Sequence, residues 1–176
     1  LLAGVPWARM AVLVRGASSL PVLRRALQSG GVPVSVRGDE QALVGVPVVR
    51  ALLRVLEVAT GRLDLRGPDG PDLALELVTG PLGGADPLAL RRLRQELRRL
   101  ELAAGGGRAS RNLLADALAS PADLAAIEPR TAGPAVRVAR LLTAAKDAVA
   151  GNSATAEAVL WSVWDASGLA QRWGAA

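Results

Sequence analysis

Cysteine and histidine are both absent from the 176-residue sequence. The first absence excludes disulfides and thiolate metal sites and fits a cytosolic protein. The second excludes a zinc site and a histidine general base within the chain. Phenylalanine and tyrosine are also missing, which leaves four tryptophans as the only aromatic residues. No apolar run reaches the roughly 18 residues that a membrane span needs, because Arg, Glu or Pro interrupts each candidate. The expectation is a soluble, cytoplasmic protein with no membrane association. The opening residues, "LLAGVPWARM", carry neither an initiator methionine nor the basic and then apolar pattern of a signal peptide. They read as internal to something longer.

What is present is apolar and basic. Hydrophobic residues make up 51% of the chain, which is globular composition and suffices for one domain with a core, or one domain and part of a second. The net charge is +5, and a single lysine stands among the 21 basic residues. So strong a preference for arginine follows from GC-rich coding as readily as from selection. The charge permits nucleic-acid binding without establishing it.

Local patterning divides the chain. Residues 10–15, "MAVLVR", read as a buried strand of a parallel sheet. Ser18 or Ser19 then caps a helix with Pro21 in its first turn and Leu20, Leu23 and Leu27 as its stripe, ending at Gly30-Gly31. "VPVSV", 32–36, reads as a second strand, giving strand, helix, strand, the grammar of a parallel sheet. From residue 41 onward only helices are expected: 46–60, a short one capped by Asp72, one opening at Asp86-Pro87 and running to about Ala104, then 111–119, 121–127, 133–150 and 154–173, broken at Gly168. The expected fold class is mainly α, a short N-terminal βαβ piece of a RecA-like α/β domain followed by an all-helical domain. The boundary falls near 37–45, giving 1–40 and 41–176.

This order resembles one stretch of the UvrD/Rep-type superfamily 1 DNA helicases. An apolar strand ending in Arg, a small polar loop, the helix "LRRAL", then "GVPVSVRGDEQAL" and the helix "VVRALLRVLEVATG" follow one another as they do in that family, over roughly residues 8–61. The later pieces "LVTGPLGGADPLALRRLRQEL" and "EAVLWSVWDASGLAQRW" look more like actinobacterial AdnA/AdnB-type helicase-nuclease subunits. The resemblance implies the start of motor domain 2A and much of the inserted helical domain 2B. It implies an intact motor that uses ATP and Mg2+ to move on single-stranded DNA in repair or recombination, with the remaining motor domains, duplex DNA and, as in the AdnA/AdnB-type members, a second helicase subunit as partners.

Arg15 is where the resemblance bears most directly on chemistry. An arginine at the mouth of a strand must be paired, solvated or aimed at something. In these helicases the Arg in this place reaches the γ-phosphate of ATP, where a planar, permanently charged fork stabilises developing charge. Without the family, an arginine that caps a helix or pairs with a carboxylate explains it. No G-x-x-x-x-G-K-[ST] loop occurs, and the lone Lys146 has no glycine-rich loop before it, so this chain alone is not expected to hydrolyse ATP.

Four further features carry candidate chemistry. In the helix from 87 to 104, Leu90, Leu93, Leu97 and Leu100 form one face while Arg91, Arg92, Arg94, Arg98 and Arg99 occupy the others. Arg91, Arg94 and Arg98 are the candidates for DNA phosphates, against an ordinary solvated face diluted by Glu96 and Glu101. Gly83 and Gly84, in "TGPLGGAD", stand where 2B domains present backbone amides to duplex phosphates. Their adjacency and the nearby Asp86 equally suit a plain turn. Trp161 and Trp164 share a helix face that suits core packing better than base stacking. Arg37, Asp39 and Glu40 form a charged turn at the proposed junction, read either as hinge or DNA-facing residues or as a plain turn. A helical protein-interaction module with no nucleotide role is the alternative to a helicase fragment, while a basic regulator lacks any compact helix-turn-helix.

Overall fold

The computed structural model describes residues 4–16, 19–35, 43–151 and 154–174. The chain divides into two units, Leu1–Val46 and Pro47–Ala176. The junction residues Arg37, Asp39 and Glu40 lie outside the described residues, as does Ser18.

In the first unit, helix α1 (Leu20–Ser29) has Pro21 in its first turn, where the missing N–H costs nothing, and Gly30 just past its end. Leu20, Leu23 and Leu27 make a half-buried stripe along it, but none of the described residues of this unit is fully buried. The two expected strands do not form. Residues 10–15 and 32–35 have no strand structure, and a lone bridge residue at Val5 is all the β-structure among the described residues. Apolar, β-branched composition supplies the face of a strand but not the partner edge that its N–H and C=O groups require. Pro33 also lacks a donor for a ladder. Val12 and Leu13, expected in a sheet interior, are 59% and 94% exposed. The βαβ piece is thus replaced by one helix between irregular segments, and the chain is mainly helical.

The second unit contains α2 (Pro47–Ala59), α3 (Gly70–Thr79), α4 (Pro87–Ala103), α5 (Ser110–Ala119), α6 (Pro129–Ala150), α7 (Ala156–Ser167) and α8 (Leu169–Gly174). Proline in the first turn opens α2, α3, α4 and α6, each time where a backbone donor would have no partner inside the helix. Asp86 caps α4 by accepting from the Ala89 amide at 2.7 Å. The chain turns left-handed at Gly168, between α7 and α8, as the sequence suggests.

Three boundaries differ from expectation. Helix α3 starts at Gly70, so Asp72 lies in its first turn and caps nothing. Residues 121–126 wind as a 3-10 turn. Helix α6 starts at Pro129 and continues through Pro134, because Glu128 accepts from the Thr131 amide and hydroxyl and so fixes the earlier start. A proline inside a helix costs about 3 kcal/mol, and here Pro134 is buried, so packing offsets what the backbone loses.

Helix α6 is the centre of this unit and packs against every helix from α2 to α7. Its Val138, Leu141, Leu142 and Ala145 are buried, as are Val55 of α2, Leu77 and Val78 of α3, Leu93 of α4, Leu114 of α5, and Val159 and Val163 of α7, and none of the buried residues described is aromatic. Ala132, Ala135 and Ala139 on the same helix are also buried and let neighbouring backbones approach closely. Each fully buried Leu or Val adds about 1.5–3 kcal/mol of apolar transfer energy. None of the described helices is long and apolar enough to cross a membrane.

Candidate nucleic-acid interface

The sequence of α4 fixes which way its arginines point. Leu93 and Leu97 are buried and Leu90 and Leu100 half-buried, so the apolar stripe locks the rotation of the helix. Arg91, Arg92, Arg94 and Arg99 consequently face solvent, while Arg98 is half-buried. They are not equivalent. Arg99 donates to Glu96 at 2.8 Å, and Arg98 donates to the Arg108 carbonyl at 3.0 Å. Arg91, Arg92 and Arg94 have no hydrogen bond or ion pair among the described residues.

The partner of Arg98 belongs to a network that the sequence did not reveal. Glu101 continues the buried side of α4 and is 5% exposed, the one charged group buried among the described residues. Its Oε1 accepts from the Arg108 amide at 2.8 Å, and its Oε2 accepts from the Arg108 guanidinium at 2.9 and 2.6 Å. Arg108 extends a further hydrogen bond of 3.1 Å to Asp116 on α5. These hydrogen bonds from the Arg108 side chain and amide, with the charges of Arg108 and Arg98, hold the Glu101 carboxyl below the usual glutamate range, against the opposing effect of burial. Gly106 passes so close to this carboxylate that a Cβ there would collide with it. The "GGGRAS" stretch, which reads as a helix breaker, is a clasp that ties the end of α4 to α5.

The loop between α3 and α4 is folded back on the protein. Gly83 is buried, and a Cβ on it would collide with the Val78 backbone. Its carbonyl accepts a hydrogen bond from the Arg137 guanidinium of α6. Gly84 is exposed with a left-handed φ of 65°, and its amide donates to the Gly80 carbonyl at 2.7 Å. The Ala85 amide donates to Val78 at 3.0 Å. The Gly84 and Ala85 amides are thus spent within the turn, and Asp86 is spent on the α4 cap. The geometry of Gly83 and Gly84 is that of a close-packed corner, and the loop adds the cation of Arg137 beside it.

In the first unit, Arg15 is exposed and has no hydrogen bond or ion pair among the described residues. It ends no strand, so a rigid strand terminus does not aim it.

Trp161 and Trp164 do not fill the core. The buried face of α7 is Val159 and Val163, while Trp161 is 62% exposed and Trp164 half-buried. Together with Val49, Leu52 and Leu53 of α2 and Glu157 and Leu160 of α7 they line an apolar groove of about 490 Å³. Trp164 projects about 100° around the helix from Val163 and Trp161 about 160° from both valines, so the i, i+3 spacing of the tryptophans marks the groove-facing side of α7 and not its buried one.

Among the described residues no group of three or more acidic side chains is placed to hold a metal ion. Compared with known proteins, the chain matches no family model and no curated sequence.

Proposed function

We propose that the chain is part of an ATP-dependent DNA helicase or helicase-nuclease acting in DNA repair or recombination, in which the helical unit contacts duplex DNA or governs access to it. The observation that carries the DNA half of this reading is the exposed arginine face of α4, held at a fixed rotation by Leu93 and Leu97. Exposed, unpaired guanidiniums on a fixed helix face bind phosphate oxygens in a planar fork. The motor half is supported by the order of residues 8–61 alone. In it Arg15 is the catalytic, ATP-binding residue that reaches the γ-phosphate, while the phosphate loop and Mg2+ ligands come from motor domains outside this sequence.

The two halves are tested separately. In the intact motor, Arg15→Ala is expected to lower ATP hydrolysis by about 10³-fold or more, the range of other arginines that complete phosphoryl-transfer sites. Unchanged hydrolysis would remove Arg15 from the ATP site. For the DNA half, binding of a short duplex by the chain is expected to weaken steeply with added salt.

A second reading is favoured by the groove between α2 and α7, where an exposed Trp161 rims an apolar channel. Aromatic rings on such rims are enriched where proteins dock, so the helical unit would serve as a docking module with no nucleotide role. Binding that is insensitive to salt and lost on Trp161→Ala would favour it.

A further inference from the structure

We propose that the phosphate-contacting part of α4 is the single turn carrying Arg91 and Arg94, that the contact is independent of base sequence, and that Arg98 is a positioning residue for the clasp loop. This inference rests on the nucleic-acid reading above and specifies the chemistry of that site.

Arg98 differs from the other two in what it touches. Its guanidinium donates to the Arg108 carbonyl at 3.0 Å, and its charge helps keep Glu101 ionised. Moving it to a phosphate would give up the hydrogen bond that fixes the Arg108 backbone beside Glu101. Arg99 is likewise engaged by Glu96. Arg91 and Arg94 are exposed and have no such partner among the described residues. At 3.6 residues per turn they project about 60° apart, so one anion can meet both forks. Arg92 projects about 160° away from Arg94. It lies one turn before Glu96, on the flank of the helix that already carries an acid. It therefore has the same charge as Arg91 with less local field.

The absence of stacking groups narrows the ligand class. The exposed side of α4 around Arg91 and Arg94 holds one amide, Gln95, and no aromatic ring on which a base could stack. Guanidiniums also fork onto guanine edges in a major groove; the proposed contact is to the phosphates, which take about half to two-thirds of protein–DNA hydrogen bonds whatever the bases.

The test is binding of a fluorescent 20-base-pair duplex, and of the matching single strand, to the whole chain across a salt series. Arg91→Ala and Arg94→Ala are each expected to reduce the slope of log K against log salt by about 0.9 on the duplex and about 0.7 on the single strand. Arg92→Ala and Arg98→Ala, which remove the same charge, are expected to leave the slope unchanged. Arg98→Ala should instead speed hydrogen exchange at the Arg108 amide. Equal slope changes in all four variants would overturn the local site in favour of a diffuse field. An Arg98→Ala slope matching that of Arg91→Ala, with the Arg108 amide still protected, would overturn the positioning role. Slopes that depend on oligonucleotide sequence would overturn backbone reading. If the unaltered chain bound neither oligonucleotide, the nucleic-acid reading itself would fall, an outcome separate from these.

Discussion

Glu101 illustrates how much one residue can organise. Its carboxylate sits on the inward side of α4, where an unpaired charge would be strongly destabilising, and three hydrogen bonds from Arg108 make that position tenable. Because the folded-state pKa is depressed, with the Arg108 hydrogen bonds as the main cause, its stabilising effect is complete above the unfolded value of 4.5. It is lost as pH falls below that value through the lower folded one. Glu101→Gln is therefore expected to lower the melting temperature at pH 7 and to flatten the dependence of stability on pH in the acid range, as thermal melts across pH 3 to 7 would measure. A melting curve unchanged at both ends would mean that the clasp contributes nothing. The acid on the apolar stripe is visible in the sequence, four residues after Leu97, where it reads as dilution of the basic face. The missing clue was seven residues on, since Arg108 sits among glycines whose role looks like simple interruption.

At the level of elements, start signals carried the most information. Asp86-Pro87 opens α4 as the sequence indicates, because a capping side chain and a proline act on the backbone within a few residues and need no tertiary partner. Asp86→Ala is expected to cost about 1 kcal/mol of stability by denaturant unfolding, with the loss confined to fraying of the first turn. Strands are different. Residues 10–15 have the composition of a buried strand, but pairing is a relation between segments and leaves no mark in one of them alone. Pro134 misled in the opposite sense: Gly133-Pro134 resembles a helix start, while the true start was set by Glu128 and Pro129 and then carried through the proline by burial. Of the candidate site, the arginine face of α4 was legible because its period is local. The division of that face into engaged and unengaged arginines was not, because it depends on the fold of the 104–109 loop.

On the scale of the whole molecule, the two units differ in kind. None of the described residues of Leu1–Val46 is buried, and every buried residue among those described lies in Pro47–Ala176. Local opening costs little where few apolar contacts are broken. Amides of residues 20–35 are expected to exchange with solvent orders of magnitude faster than those of 138–145, which should be among the last to exchange. Equal protection in both segments, read by hydrogen exchange and mass spectrometry, would contradict this division. The position of α6 has a further consequence during synthesis. The helix that every partner from α2 to α7 packs against spans residues 129–150, so α2 to α5 leave the ribosome before the surface that buries them exists. At about 5–20 residues added per second, their apolar faces stay uncovered for seconds. The nascent chain must then be shielded by chaperones or by transient contacts among its early helices until its last third emerges.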